Sequence, residues 1–186
     1  IDQEIIVRNS KTGESFEALD NKTYKLQNNM CAVSDKSGVL GLGGIIGGNR
    51  SATELSTKNV LLESAYFFPS SIRKTSNILS IDTDAKYRFE RGIDPDSVKL
   101  GLELGMCMIL DMCGGEASKL SIVGKIQDKR PTINLEPEKF LKVIGFSMTI
   151  AEIKKILISL GCSLKIIGKK IKVLPPSWRP DIKEDI

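Results

Sequence analysis

Val39-Leu40-Gly41-Leu42-Gly43-Gly44-Ile45-Ile46-Gly47-Gly48 is a short β-prone run that empties into a glycine cluster, and its flanks decide the fold class. Upstream, residues 5–7, 15–19, 23–26 and 30–34 are rich in branched and aromatic side chains, with turn formers such as Asp20-Asn21 between them. The first third therefore reads as strands. Downstream, residues 59–66 form an apolar run expected to be a buried strand. Pro69 suits the first turn of a helix reaching Leu79. The strongest helical pattern lies at 95–113, where Val98, Leu102, Met106, Ile109, Leu110 and Cys113 recur at three- and four-residue steps. Asp94 is the expected N-cap of that helix and Gly114 its stop. Residues 120–126 return to β. The reading is an α+β fold in which helices cover a sheet.

A boundary falls at 127–131, where Arg130-Pro131 breaks regular structure. It divides the chain into a domain at 1–127 and a smaller one at 128–186. In the second, residues 132–135 read as a strand and 137–144 as a short helix. Thr149-Ile150-Ala151-Glu152 has the spacing of a capping box ahead of an apolar helical stripe from Ile150 to Leu160. Residues 163–167 and 170–174, joined at Gly168-Lys169, read as a hairpin, giving a helix-rich module with a β wing. The net charge of +4 is divided unevenly: residues 1–128 carry 15 basic and 17 acidic side chains (−2), and 129–186 carry 12 and 6 (+6). The second part has the sign expected of an RNA-facing surface, and equally of a solvated lysine-rich one.

Composition removes several function classes. With 41% hydrophobic and 27% charged residues the chain is of the ordinary globular kind. No apolar stretch is long enough to span a membrane, and no signal peptide is visible. The chain starts at Ile1 and ends in a charged run, which reads as a segment of a longer, cytoplasmic polypeptide. Cys31, Cys107, Cys113 and Cys162 show no metal-binding spacing and are expected to be buried, reduced thiols. Asn21-Lys22-Thr23 and Asn49-Arg50-Ser51 match the glycosylation sequon by chance. There is no histidine, so no serine–histidine or cysteine–histidine pair can form within these residues. A phosphate loop needs Lys-Ser/Thr after its last glycine, but Asn49-Arg50 follows Gly48, and the dinucleotide fingerprint breaks at Ile46. The glycines are left with two readings: a tight turn, or a backbone surface that a ligand approaches closely.

Glu63 is the outlier in Val60-Leu61-Leu62-Glu63-Ser64-Ala65-Tyr66-Phe67. A carboxylate in such a run needs a partner, either an arginine such as Arg88 or Arg91 or a ligand. Thr83-Asp84-Ala85 and Arg88-Phe89-Glu90-Arg91-Gly92-Ile93-Asp94-Pro95 form a dense charged patch, read from the residues alone as a cap plus ion pairs. Trp178, the only tryptophan, reads as a core anchor beside a loop.

Taken together, Leu42 to Gly48, Thr57 to Phe67, Thr83-Asp84-Ala85, Arg88 to Pro95 and Pro176-Ser177-Trp178-Arg179-Pro180-Asp181 resemble, in order and spacing, the bacterial phenylalanyl-tRNA synthetase beta subunits. The likeness covers essentially the whole chain. It implies most of an editing domain followed by the start of the next domain. It further implies a partner alpha subunit that aminoacylates tRNA(Phe), in a heterotetramer of two alpha and two beta chains using ATP and Mg²⁺. By position, Glu63 would bind the phenol of a mischarged tyrosine, Gly44 and Gly47 would form a wall beside the ring, and Thr83 and Ala85 would line the opposite side. Tyrosine and tRNA(Phe) would be the products. A histidine of that site would lie upstream, so these residues alone are expected to edit poorly. Asp181 would be one ligand of a partial magnesium site. Where the family usually has glutamate two residues after that aspartate, this chain has Lys183, and one carboxylate is a poor magnesium site, so no metal is expected on this segment. A non-catalytic RNA- or protein-binding module that reuses the fold is the alternative reading.

The chemistry the resemblance implies is coherent. A buried acceptor built for a hydroxyl is left unpaired by phenylalanine, and such sites discriminate by roughly 10⁴–10⁵, against about 10² for an apolar pocket rejecting an added hydroxyl.

Overall fold

A computed structural model describes residues 1–125, 130–168 and 170–184 and shows an α+β chain. The first sheet has the order β1-β4-β5-β6, all antiparallel: β1 (Ile6–Asn9), β4 (Cys31–Asp35), β5 (Gly38–Leu42) and β6 (Ile46–Gly47). β4 and β5 are central, and Ala32, Val33, Leu40 and Leu42 are buried. A separate ribbon pairs β2 (Ser15–Glu17) with β3 (Thr23–Lys25), placing Phe16 opposite Tyr24. The ribbon is tied to the glycine cluster by an Ala18–Gly48 bridge and by the Leu19 N–H donating to the Gly47 carbonyl at 3.0 Å.

Three helices follow. α1 (Pro69–Leu79) has the predicted bounds: proline stands in its first turn, and Ser80 closes it in the left-handed conformation at φ 53. Ile72 on α1 enters the core formed by Met30, Ala32, Leu42, Ile45 and Phe67. α2 (Asp84–Phe89) is capped by Thr83, whose hydroxyl accepts the Lys86 N–H. α3 (Ser97–Cys113) starts two residues later than expected. Its N-cap is Asp96, with no side-chain cap bond; Asp94 acts one turn earlier, accepting from the Asp96 and Ser97 N–H groups. Gly114 ends the helix as expected, at φ +68.

Two predicted strands are not strands. Residues 59–66 are not hydrogen-bonded into any sheet among the described residues, and Val60, Leu61 and Leu62 are exposed. Residues 120–125 are likewise unpaired, while Ile126 lies outside the described residues. Strand propensity and apolarity were read correctly as chemistry, but a strand exists only where a second backbone completes its hydrogen bonds. The α3 stripe is only half-buried and leaves no side chain of that helix fully covered, so Cys107 and Cys113 are exposed on it rather than buried, and Cys31 and Cys162 are only half-buried.

In the C-terminal part, β7 (Ile133–Leu135), β9 (Lys170–Leu174) and β8 (Ser163–Ile167) form one antiparallel sheet in the order β7-β9-β8. α4 (Pro137–Ile144) and α5 (Ile150–Ser159) accompany it, and Ile133, Ile153, Ile171 and Val173 make its core. Thr149 and Glu152 form the capping box. The turn residue Lys169 lies outside the described residues. Trp178 is not a core anchor. It is 58% exposed and packs against Gly161, where an added Cβ would come within 2.7 Å of the indole. Pro180 sits beside Gly92, so the two parts touch there.

Candidate functional site

The turn from Gly43 to Gly48 is the hub to which the predicted site residues attach. The Gly43 N–H donates to the Cys31 carbonyl at 3.0 Å, closing the turn onto β4. On the other side, the Thr83 hydroxyl donates to the Ile45 carbonyl at 2.7 Å while accepting the Lys86 N–H at 3.1 Å. One short side chain thus caps α2 and fixes that helix to the glycine turn. Ala85, half-buried, is the second residue of α2.

The glycines have a packing role. Gly44 is left-handed at φ +69, and a Cβ on it would meet Phe67 at 2.9 Å, Ile72 at 3.0 Å and Phe89 at 3.2 Å. Phe67 and Phe89 meet edge-on at 5.3 Å beneath it. On Gly47 a Cβ would reach Leu19 at 3.2 Å. On these sides the missing side chains make room for the protein's own aromatic and aliphatic groups. Only the backbone surface of the turn remains for an incoming molecule.

Glu63 is linked to the same region through Cys31. Its charge acts on the half-buried Cys31 thiol, whose pKa is raised first by burial and then by Glu63. The residue as a whole is exposed, yet desolvation of its carboxyl raises the Glu63 pKa above the ordinary glutamate value. No cation offsets this: among the described residues Glu63 is in no ion pair. Of the arginines considered from sequence, Arg91 bonds Glu90 at 2.9 Å and the Tyr87 carbonyl at 2.8 Å, and lies 3.6 Å over the Tyr87 ring. Among the described residues Glu63 is therefore a carboxylate in no ion pair, close enough to Cys31 to act on its thiol, and the Cys31 carbonyl in turn accepts the Gly43 N–H of the glycine turn.

A hollow of about 260 Å³ opens next to the clamp, lined by Asp82, Thr83, Asp84 and Tyr87. Of the five predicted pocket residues it takes in Thr83 alone. Cys31 and Phe67 were missed by the sequence reading. Phe67 closes the same apolar run as Glu63; nothing local in the sequence links Cys31 to Glu63.

Asp181 does not stand ready for a metal. Arg179 holds it at 2.8 and 2.9 Å and lowers its pKa. Among the described residues no three His, Cys, Asp or Glu side chains gather into a cation site, so the residues present do not fit magnesium. No helix among the described residues is long and apolar enough to cross a membrane.

Residues 1–114 match the B3/4 domain family and residues 133–186 the tRNA synthetase B5 domain family. The chain is 45% identical over 179 residues to the phenylalanine–tRNA ligase beta subunit of Rhodospirillum rubrum, covering 96% of the chain and 22% of that protein. It is 39% identical over 184 residues to that of Bradyrhizobium diazoefficiens (98% and 23%) and 42% over 171 residues to that of Cereibacter sphaeroides (92% and 21%). The chain thus spans between a fifth and a quarter of the length of the curated relatives it matches.

Proposed function

The chain belongs to the family of phenylalanine–tRNA ligase beta subunits, and from that premise we propose that residues 1–114 recognise tyrosine wrongly esterified to tRNA(Phe) so that it is hydrolysed. The carrying observation is the desolvated, cation-free carboxyl of Glu63 beside the Thr83-clamped glycine turn. A phenol hydroxyl donating to that carboxylate supplies the partner the protein withholds. The ring lies along the Gly44–Gly47 backbone, on the side away from Phe67 and Leu19, and Thr83 and Ala85 border it through α2. Phenylalanine offers no donor and leaves the carboxylate unpaired, which is how a site that reads a hydroxyl discriminates. Thr83 acts by position, since both its hydrogen bonds are spent within the protein.

In this reading the subunit works in the cytoplasm with an alpha subunit, as a heterotetramer that charges tRNA(Phe) at the expense of ATP with Mg²⁺. Ester hydrolysis also requires a placed water and donors for the developing oxyanion. No histidine is available within this segment to place that water. The test is Glu63→Ala in the intact ligase. Stable tyrosyl-tRNA(Phe) accumulates while phenylalanine charging stays near wild type; unchanged tyrosine mischarging would make Glu63 structural.

A further inference from the structure

We propose that Tyr87, Arg88 and Arg91 hold the unpaired RNA end that carries the ester, with an aromatic platform for a base and cations for the phosphates beyond it. Thr83, Tyr87 and Arg91 lie four residues apart, so they run in one line along α2 and the turn that follows it. The line is continuous. The Tyr87 N–H donates to the Thr83 carbonyl at 2.9 Å, and the Arg91 guanidinium donates to the Tyr87 carbonyl at 2.8 Å. It starts at the Thr83 clamp on the glycine turn. At about 1.5 Å of rise per residue, Tyr87 stands ~6 Å further on. That is the reach of one ribose, so the ring stands where the base attached to that sugar falls.

The chemistry changes along this line in the order that it changes along a nucleotide. At the near end Asp82 and Asp84, both exposed, line the hollow together with Thr83 and Tyr87. Carboxylates there accept from ribose hydroxyls and exocyclic amines and repel phosphate. In the middle, Arg91 lies 3.6 Å over the Tyr87 ring, yet Tyr87 is still 56% exposed. A base has an aromatic surface to stack on. At the far end cations outnumber the carboxylates that could neutralise them. Glu90 alone serves both Arg91, at 2.9 Å, and Lys86, at 3.4 Å. Arg73 reaches over from α1 to the Glu90 carbonyl at 3.1 Å, a neutral acceptor. Arg88 is exposed, three positions before Arg91, and its guanidinium is in no ion pair among the described residues. An aromatic ring flanked by uncommitted arginines is how proteins take single-stranded RNA, base on ring and phosphate on guanidinium. An acidic protein segment would use the arginines but would be repelled by Asp82 and Asp84 and would leave Tyr87 without a role.

Hydrolysis of tyrosyl-tRNA(Phe) by the intact ligase, with KM followed against salt, tests it. Tyr87→Ala raises KM on the order of 10-fold at unchanged salt dependence, and Tyr87→Trp restores it, because any aromatic plane serves. Arg88→Ala raises KM and lowers the slope of log KM against log salt by about 0.7, the share of one single-strand phosphate. Arg88→Lys keeps the slope. In all four variants the preference for the tyrosyl over the phenylalanyl ester stays at the wild-type value. Both residues are exposed, so urea midpoints also stay near wild type. Wild-type KM and slope in Tyr87→Ala and Arg88→Ala overturn the proposal and leave the arginines to a protein contact. A rise in KM that Tyr87→Trp does not restore overturns the stack. The inference rests on the editing reading for the position of the ester. A wild-type ligase inert toward the ester overturns both, whereas an undiminished preference in Glu63→Ala counts against that reading alone.

Discussion

Strand β4 has a carboxylate near each end, and the protein treats them in opposite ways. Asp35, at its C-terminal end, is buried and fully partnered. Arg50 grips it at 2.6 and 3.1 Å, and the Asp2 and Ser37 N–H groups donate to it at 2.8 and 3.0 Å. These contacts, Arg50 above all, hold its pKa well below the usual carboxylate range. Glu63, beside Cys31 at the other end, has desolvation and no offsetting cation, and its pKa moves up. The first arrangement is what a structural carboxylate looks like in this molecule. The second keeps an acceptor uncommitted, and the difference argues that Glu63 is there for something that arrives.

The comparison breaks most visibly under substitution of the two partners. Arg50→Ala strands the Asp35 carboxylate and gives the largest fall in urea midpoint, whereas Glu63→Ala leaves the midpoint unchanged or raises it. Parallel denaturation curves decide this, and a large loss at Glu63 would place both carboxylates in one structural class. Next in size, Gly43→Ala puts a methyl group against the Phe67 ring, with Cζ at 2.9 Å. The expected cost is about 1–3 kcal/mol, recovered in part by Phe67→Leu.

The smallest effect is in pH, and the two kinds of carboxylate carry opposite signs. The Arg8 bond lowers Glu14 to about 2, and Asp35 is depressed by the same kind of partner. Each such group contributes stability that is present above its unfolded pKa and is lost as pH falls through the folded value. Glu63 is raised, so its cost appears as pH climbs through the ordinary glutamate value toward the folded one. Glu63→Gln therefore flattens the stability profile on the side above pH ~4.5, while Arg8→Ala flattens it below. Chemical denaturation of the subunit at a series of pH values reads both slopes.

What was legible in the sequence was what local chemistry decides. Pro69 set the start of α1, Thr149 and Glu152 capped α5, Gly114 stopped α3, and β-prone runs bounded by turn residues marked the strands near Cys31 and Lys170, because each depends on neighbours within a turn or two. The run 59–66 was read as a strand, yet strand formation depends on a backbone far away in sequence. Trp178 was assigned to a core on residue type, but its partner is a bare glycine at the surface. At the candidate site the oddity of Glu63 could be read directly. Its isolation from Arg88 and Arg91, its closeness to Cys31 and the Thr83–Ile45 clamp arise from contacts between distant segments, which no single-segment pattern records.

The most direct measurement is the hydrolysis of tyrosyl-tRNA(Phe) and phenylalanyl-tRNA(Phe) by the intact ligase, wild type against Glu63→Ala, read as the ratio of kcat/KM for the two esters. A carboxylate that grips the phenol oxygen predicts a wild-type ratio strongly favouring the tyrosyl ester, on the order of 10³ or more, collapsing toward unity in the variant. An unchanged ratio in the variant would contradict it.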